Sequence, residues 1–107
     1  KDTLQSIIDK VNERFNGNFT DSDRVIIEGI YQMFMNDADV KKFEKYAKDN
    51  STEMFVQSLF PDKFKDIVTQ CFLDNNDSFS KLFNDPDFYN KVQEAMAAEL
   101  YKALRKD

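Results

Sequence analysis

Histidine is absent from this chain of 107 residues. That removes the commonest general base, the Ser-His and Cys-His nucleophile arrangements, and most zinc sites. Tryptophan is also missing, while phenylalanine occurs eleven times, so a core is expected to be built from phenylalanine. Two glycines and two prolines are too few for the many turns of an all-β fold. Two isolated glycines also build no phosphate-cradling loop, and no Gly-x-x-x-x-Gly-Lys run exists. The single cysteine, Cys71, has no internal partner for a disulfide and fits a reducing compartment. No apolar run approaches the ~20 residues needed to span a bilayer. No signal-peptide pattern opens the chain, which begins at Lys1, so we expect a single domain, residues 1–107, excised from a longer protein, its C-terminus on the resemblance below, and a cytoplasmic location.

What is present points to a globular helical domain. Hydrophobic content of 41% with 14% aromatics supports a packed core despite 33% charged residues. A net charge of -5 disfavours free-standing, non-specific DNA binding, which needs positive potential.

Leu4, Ile7, Ile8, Val11 and Phe15 recur at helical spacing and predict a first helix over residues 3–15. Asn16-Gly17-Asn18 supplies residues that tolerate left-handed backbone, a common helix stop. Thr20-Asp21-Ser22-Asp23 then matches a capping box and starts a second helix over 21–35. Its apolar arc, with Ile26, Ile27, Ile30, Tyr31, Met33 and Phe34, is wide enough to predict a central position. Gly29, at one edge of that arc, predicts close approach by a neighbouring helix.

Asn36-Asp37 is expected to cap a third helix with Val40, Phe43, Tyr46 and Ala47 on one face. Asn50-Ser51 with Glu53 starts a fourth, which Pro61 is expected to break or kink, because proline has no N–H to donate. Phe64, Ile67, Val68, Cys71 and Phe72 continue as a stripe to about Leu73. Asn75-Asn76-Asp77 predicts a short helical turn around Phe79, Leu82 and Phe83. Asp85-Pro86 starts a last helix to about Arg105, with Phe88, Val92, Met96, Leu100, Ala103 and Leu104 inward. Lys102, Arg105 and Lys106 suit its negative end. The expected fold is all-α, a compact bundle of about five to seven helices. Asn36-Asp37-Ala38-Asp39 resembles Asn84-Asp85-Pro86-Asp87, but both are cap sequences, and no repeat is inferred.

Few constellations carry chemistry. Cys71 sits in an apolar stripe and behaves as a small hydrophobe. From Asp74 the run DNNDSFSKLFND has oxygen residues at the first, third and fifth positions of a calcium loop. It places Phe79 where glycine is needed and Asp85 where a bidentate glutamate belongs, so caps and turns explain it. Asp21-Ser22-Asp23 is likewise a cap before it is a ligand pair. No metal or cofactor is expected in this domain. Lys41, Lys42, Lys45 and Lys48 share one side of the third helix, where they form either a solvated face or a phosphate contact. Met35 and Tyr101 fall far from their helices' buried arcs, which marks them as candidate partner contacts.

Taken together, Asn12-Glu13-Arg14-Phe15, Gly17, Phe19-Thr20 and Asp21-Ser22-Asp23, with Asp85 to Phe88 and Tyr101 to Arg105, resemble the C-terminal helical domain of type I restriction enzyme R subunits. The likeness runs from about Lys10 to Arg105 and rests on caps and core positions; Pro61 is not part of that pattern. The resemblance implies a restriction-modification system whose R subunit is an ATP-dependent DNA translocase and endonuclease. There ATP and Mg belong to the parent chain. The C-terminal domain would dock the motor onto the methyltransferase (modification) core, and DNA would be met through the complex. That family's nuclease site needs Pro-Asp and Glu-x-Lys on strands with a divalent metal. Pro61-Asp62 is present, but Glu-x-Lys is not, so no catalytic residue carries over. The alternative is an independent small helical regulator, or a weak DNA-contacting protein using the lysine face. It binds no membrane in either reading.

Overall fold

A Schellman motif closes the first helix. In the computed structural model, which describes residues 2–74 and 79–105, α1 spans Thr3–Arg14. Asp2 caps it by accepting from the Gln5 N–H at 2.7 Å. At the far end the Gly17 N–H reaches the Asn12 carbonyl at 3.0 Å, and the Asn16 N–H reaches Glu13 at 3.1 Å. Asn16 has φ 54° and Gly17 φ 81°, the left-handed backbone this double bond requires. Ile7, Ile8 and Val11 are buried.

The chain re-enters helix at Asp21–Met35 (α2) through the expected capping box. The Thr20 hydroxyl accepts from the Asp23 N–H at 3.1 Å, and the Asp23 carboxylate accepts from the Thr20 N–H at 3.2 Å. Ile26, Ile27, Ile30 and Phe34 are buried, while Tyr31 and Met33 are partly so. A methyl group on Gly29 would lie 2.6 Å from the tip of the Phe79 ring. The close neighbour is therefore an aromatic side chain lying against the bare backbone.

The third helix, α3 (Val40–Asp49), starts later than expected. Asn36 closes α2, its N–H bonding the Gln32 carbonyl. Asp37 accepts from the Asp39 N–H at 2.7 Å in a local turn, and Asp39 holds the cap position without a side-chain bond. So Asn36-Asp37 ends one helix and shapes the turn before the next.

Pro61 neither ends nor interrupts helix. Ser51 caps α4 (Thr52–Met54) by accepting from the Met54 N–H. The chain then passes through a π-helical segment, Phe55–Leu59, directly into α5 (Phe60–Asp74). The Phe60 N–H bonds the Phe55 carbonyl five residues back. Widening the turn ahead of the proline makes room for a ring that otherwise collides with the carbonyl four residues before it.

The predicted start at Asn75-Asn76-Asp77 lies outside the described residues, as does Lys106. A short α6 (Lys81–Asn84) follows, and α7 (Pro86–Arg105) begins at the Asp85 cap, which accepts from the Phe88 N–H at 3.1 Å. Helix α2 packs on two neighbours, as its wide apolar arc predicts, but more elements surround α7. It packs against α1, α3, the π segment, α5 and α6, whereas α2 packs chiefly on α1 and α5. Small residues explain this: Ala95 and Ala97 are fully buried beside Phe88, Val92, Met96 and Leu100.

Phenylalanine fills the space between. Phe43, Phe55, Phe60 and Phe34 form a closed circuit of ring contacts with centroids 5.6–6.0 Å apart, extended by Phe64 and Tyr89. The described residues form an all-α bundle with no strand among them.

Candidate functional site

The lysine row belongs to a helix with little core of its own. On α3 only Phe43 and Ala47 are buried. Side chains from other helices secure both its ends. At the entrance Lys63 of α5 donates to Asp37 at 2.6 Å and to Asp39 at 3.5 Å. Only 12% of the Lys63 side chain is exposed. Burial alone would raise the Asp37 carboxyl, but the Lys63 hydrogen bond and charge, with the Asp39 N–H, hold it below the ordinary value. Burial alone would lower Lys63, but Asp37 and Asp39 hold it above its ordinary value.

At the exit, Arg105 of α7 donates to the carbonyls of Ala47, Lys48 and Asn50 at 2.6, 3.1 and 3.3 Å. The Tyr101 hydroxyl donates to the same Asn50 carbonyl at 3.0 Å, and the Arg105 guanidinium lies over the Tyr101 ring. These are the carbonyls a helix end leaves without partners, and a cation there also meets the negative end of the dipole.

Held at both ends, α3 presents Lys41, Lys42, Lys45 and Lys48 to solvent, all exposed. Lys45 pairs with Asp49 at 2.9 Å, and that bond raises its ammonium pKa. Lys42 lies 3.7 Å from Asp39. Among the described residues Lys41 and Lys48 have no carboxylate partner. Tyr46, expected on the buried face, is 43% exposed, its ring edge-on to Phe43.

The two apolar candidates separate. Met35 is exposed, at the end of α2. Tyr101 is not: it is buried with its ring 5.4 Å from Phe55 and its hydroxyl engaged as above, so it is a core and clamp residue and not a surface contact. The helix wheel misplaced it because α3 and the π segment both lie against α7, which widens the buried arc there. Arg105, grouped from sequence with its own helix end, instead closes α3.

The remaining titratable groups hold structure. Asp23, the one buried charged residue described, serves the Thr20 capping box and accepts from Lys81 at 2.7 Å, while the Lys81 ammonium lies over the Phe88 ring. Cys71 is buried, and burial together with Asp74 pushes its thiol up to about 11. Asp62 lies in the first turn of α5, not on a strand. Of the acidic run, Asp74 accepts from Gln70 and Asp85 caps α7; residues 75–78 are outside the described set. No group of three or more Cys, Asp or Glu side chains among the described residues is arranged to hold a metal. Two open depressions, of about 290 and 190 Å³, are lined by Ser51, Met54 and Gln57 and by Met33, Asp66 and Ile67 among others. No described helix is long and apolar enough to cross a membrane.

Nothing in the sequence marked Lys63 and Arg105 as clamps, because their partners lie 24 to 58 residues away. Comparisons with protein-family models, with curated proteins and with solved structures give no match.

Proposed function

We propose that this domain is a non-catalytic assembly module, the C-terminal helical domain of a type I restriction enzyme R subunit, which docks the DNA translocase and endonuclease onto the methyltransferase core. The family assignment rests on the sequence resemblance over caps and core. The observation that carries the binding role is the use of the partly buried charges: Asp23 with Lys81, Asp37 with Lys63, and Arg105 all fasten helix ends. Those groups are used to hold helix ends in place, and the exposed outer face of α3 is left to meet a partner. ATP and Mg chemistry would stay with the motor portion of the parent chain, and the setting would be the cytoplasm.

The test is association of the purified domain with the methyltransferase subunit, followed by calorimetry or gel filtration. Submicromolar binding, with no ATPase or nuclease activity in the domain alone, is the expected result. Absence of binding to that subunit overturns the reading.

The exposed lysine row favours a second reading, direct contact with DNA. At a net charge of -5 the domain is expected to bind duplex DNA no better than ~10⁻⁴ M near physiological salt. Micromolar, salt-sensitive DNA binding together with no association with the methyltransferase subunit would favour this alternative.

A further inference from the structure

We propose that the outer face of α3 is the docking surface and that its occupant is a helix on a partner protein bearing carboxylates along one side. This rests on the assembly reading and names the surface it leaves open. Lys41, Lys45 and Lys48 stand at i, i+4 and i+7, so their attachment points are about 6 and 4.5 Å apart along the axis. Acidic residues at the same spacing on an opposing helix match that pattern. Tyr46, exposed one turn after Lys42, borders the lysine row on that flank, about 100° around the helix from Lys45, and supplies an aromatic contact at its edge.

Charge distribution selects the chemistry. The whole chain carries -5, yet these four lysines lie within eight consecutive positions of one helix, and two lack any carboxylate partner among the described residues. A polyanion is the poorer fit. Lys42 and Lys45 already lie beside Asp39 and Asp49, and Arg105, the side chain best shaped to grip phosphate, is engaged with three backbone carbonyls.

The mounting of the helix points the same way. With two buried side chains, α3 has a thin core contact, and Lys63 at one end and Arg105 with Tyr101 at the other hold it in place. A face held before the partner arrives loses less entropy on binding than a loosely attached one.

The experiment titrates the ¹⁵N-labelled chain at low salt with two probes. One is a synthetic helical peptide of about 20 residues with Glu at i, i+4 and i+7; the other is a duplex DNA of about 20 base pairs. Amide shifts confined to residues 40–50 with the peptide, and peptide binding weakened about tenfold by joint Lys41→Ala, Lys45→Ala and Lys48→Ala, are expected. Tyr46→Ser should weaken binding while leaving its salt dependence unchanged. All four side chains are exposed or partly so, and circular dichroism checks that the variants remain folded. Three results overturn the proposal: no peptide-induced shifts, shifts centred elsewhere, or DNA binding more tightly through these lysines. Parallel titrations with the methyltransferase subunit separate the two claims. Equal binding by wild type and the triple variant refutes this surface and leaves the assembly role standing. Peptide binding at α3 with no subunit binding refutes the assembly role and leaves the surface standing.

Discussion

Arg105, in the last turn of α7, donates to the carbonyl of Ala47 at 2.6 Å and so closes a helix that ended 56 positions earlier at Asp49 (105 - 49). All three bonds come from one guanidinium nitrogen, Nη1, while the planar group lies over the Tyr101 ring, a stacking that an ammonium does not reproduce. Arg105→Ala is expected to cost about 1–2 kcal/mol in chemical denaturation and to speed amide exchange over residues 40–50 more than elsewhere. Arg105→Lys should recover only part of the loss. Unchanged exchange in α3 after Arg105→Ala would show that the clamp does not hold the helix.

Gly29 offers a test in which the sign decides. At an open helix surface, glycine to alanine stabilises by about 0.5–1 kcal/mol. Here the new methyl would meet the Phe79 ring at 2.6 Å, so Gly29→Ala is expected to lower stability by about 1 kcal/mol or more. In a Phe79→Ala background the same change should become stabilising, because the obstacle is gone. Thermal or denaturant melts of the four proteins in this cycle check both signs.

The Lys63–Asp37 clamp predicts a pH window. Asp37 has a lowered folded pKa, so its contribution is full above its unfolded value near 3.8 and is lost as pH falls through the folded value. Lys63 has a raised folded pKa, so its contribution is full below about 10.5 and fades as pH rises through the folded value. Stability from this pair should therefore be flat between about pH 4 and 10 and decline outside it. Lys63→Met removes both slopes contributed by the pair, leaving those of other groups. Denaturant midpoints of wild type and variant should differ by a constant amount between about pH 4 and 10 and converge as pH falls below or rises above that range.

Cys71 should resist alkylation. Its thiol is buried and pushed up to about 11, so little thiolate exists at pH 8 and little of it is accessible. Iodoacetamide is expected to label it at the rate at which the fold opens, and at the ordinary rate of a free thiol in denaturant. Fast labelling of the native chain would mean that α5 opens far more often than its packing against α2 and α7 implies.

Local chemistry by itself determined the helices and most of their ends. Asn16-Gly17, Thr20 with Asp23, Ser51 and Asp85-Pro86 each act within five residues, so the bonds they make can be read without knowing the fold. The core stripes of α1 and α5 were legible for the same reason: a period of 3.6 is a property of one helix. Tertiary structure decided what no local pattern contains. It packed more elements around α7 than around α2 and buried Tyr101, which a single helix wheel places toward solvent, because two neighbours lie against that flank. It led the chain through a π segment into Pro61 in place of a break, since the ring contacts of Phe55 with Phe60 and of Phe60 with Phe64 keep both sides of the proline in one core. And it turned Lys63 and Arg105 from surface cations into the clamps of α3, through contacts between residues far apart in the chain, which only the packing of whole helices can bring within 3 Å.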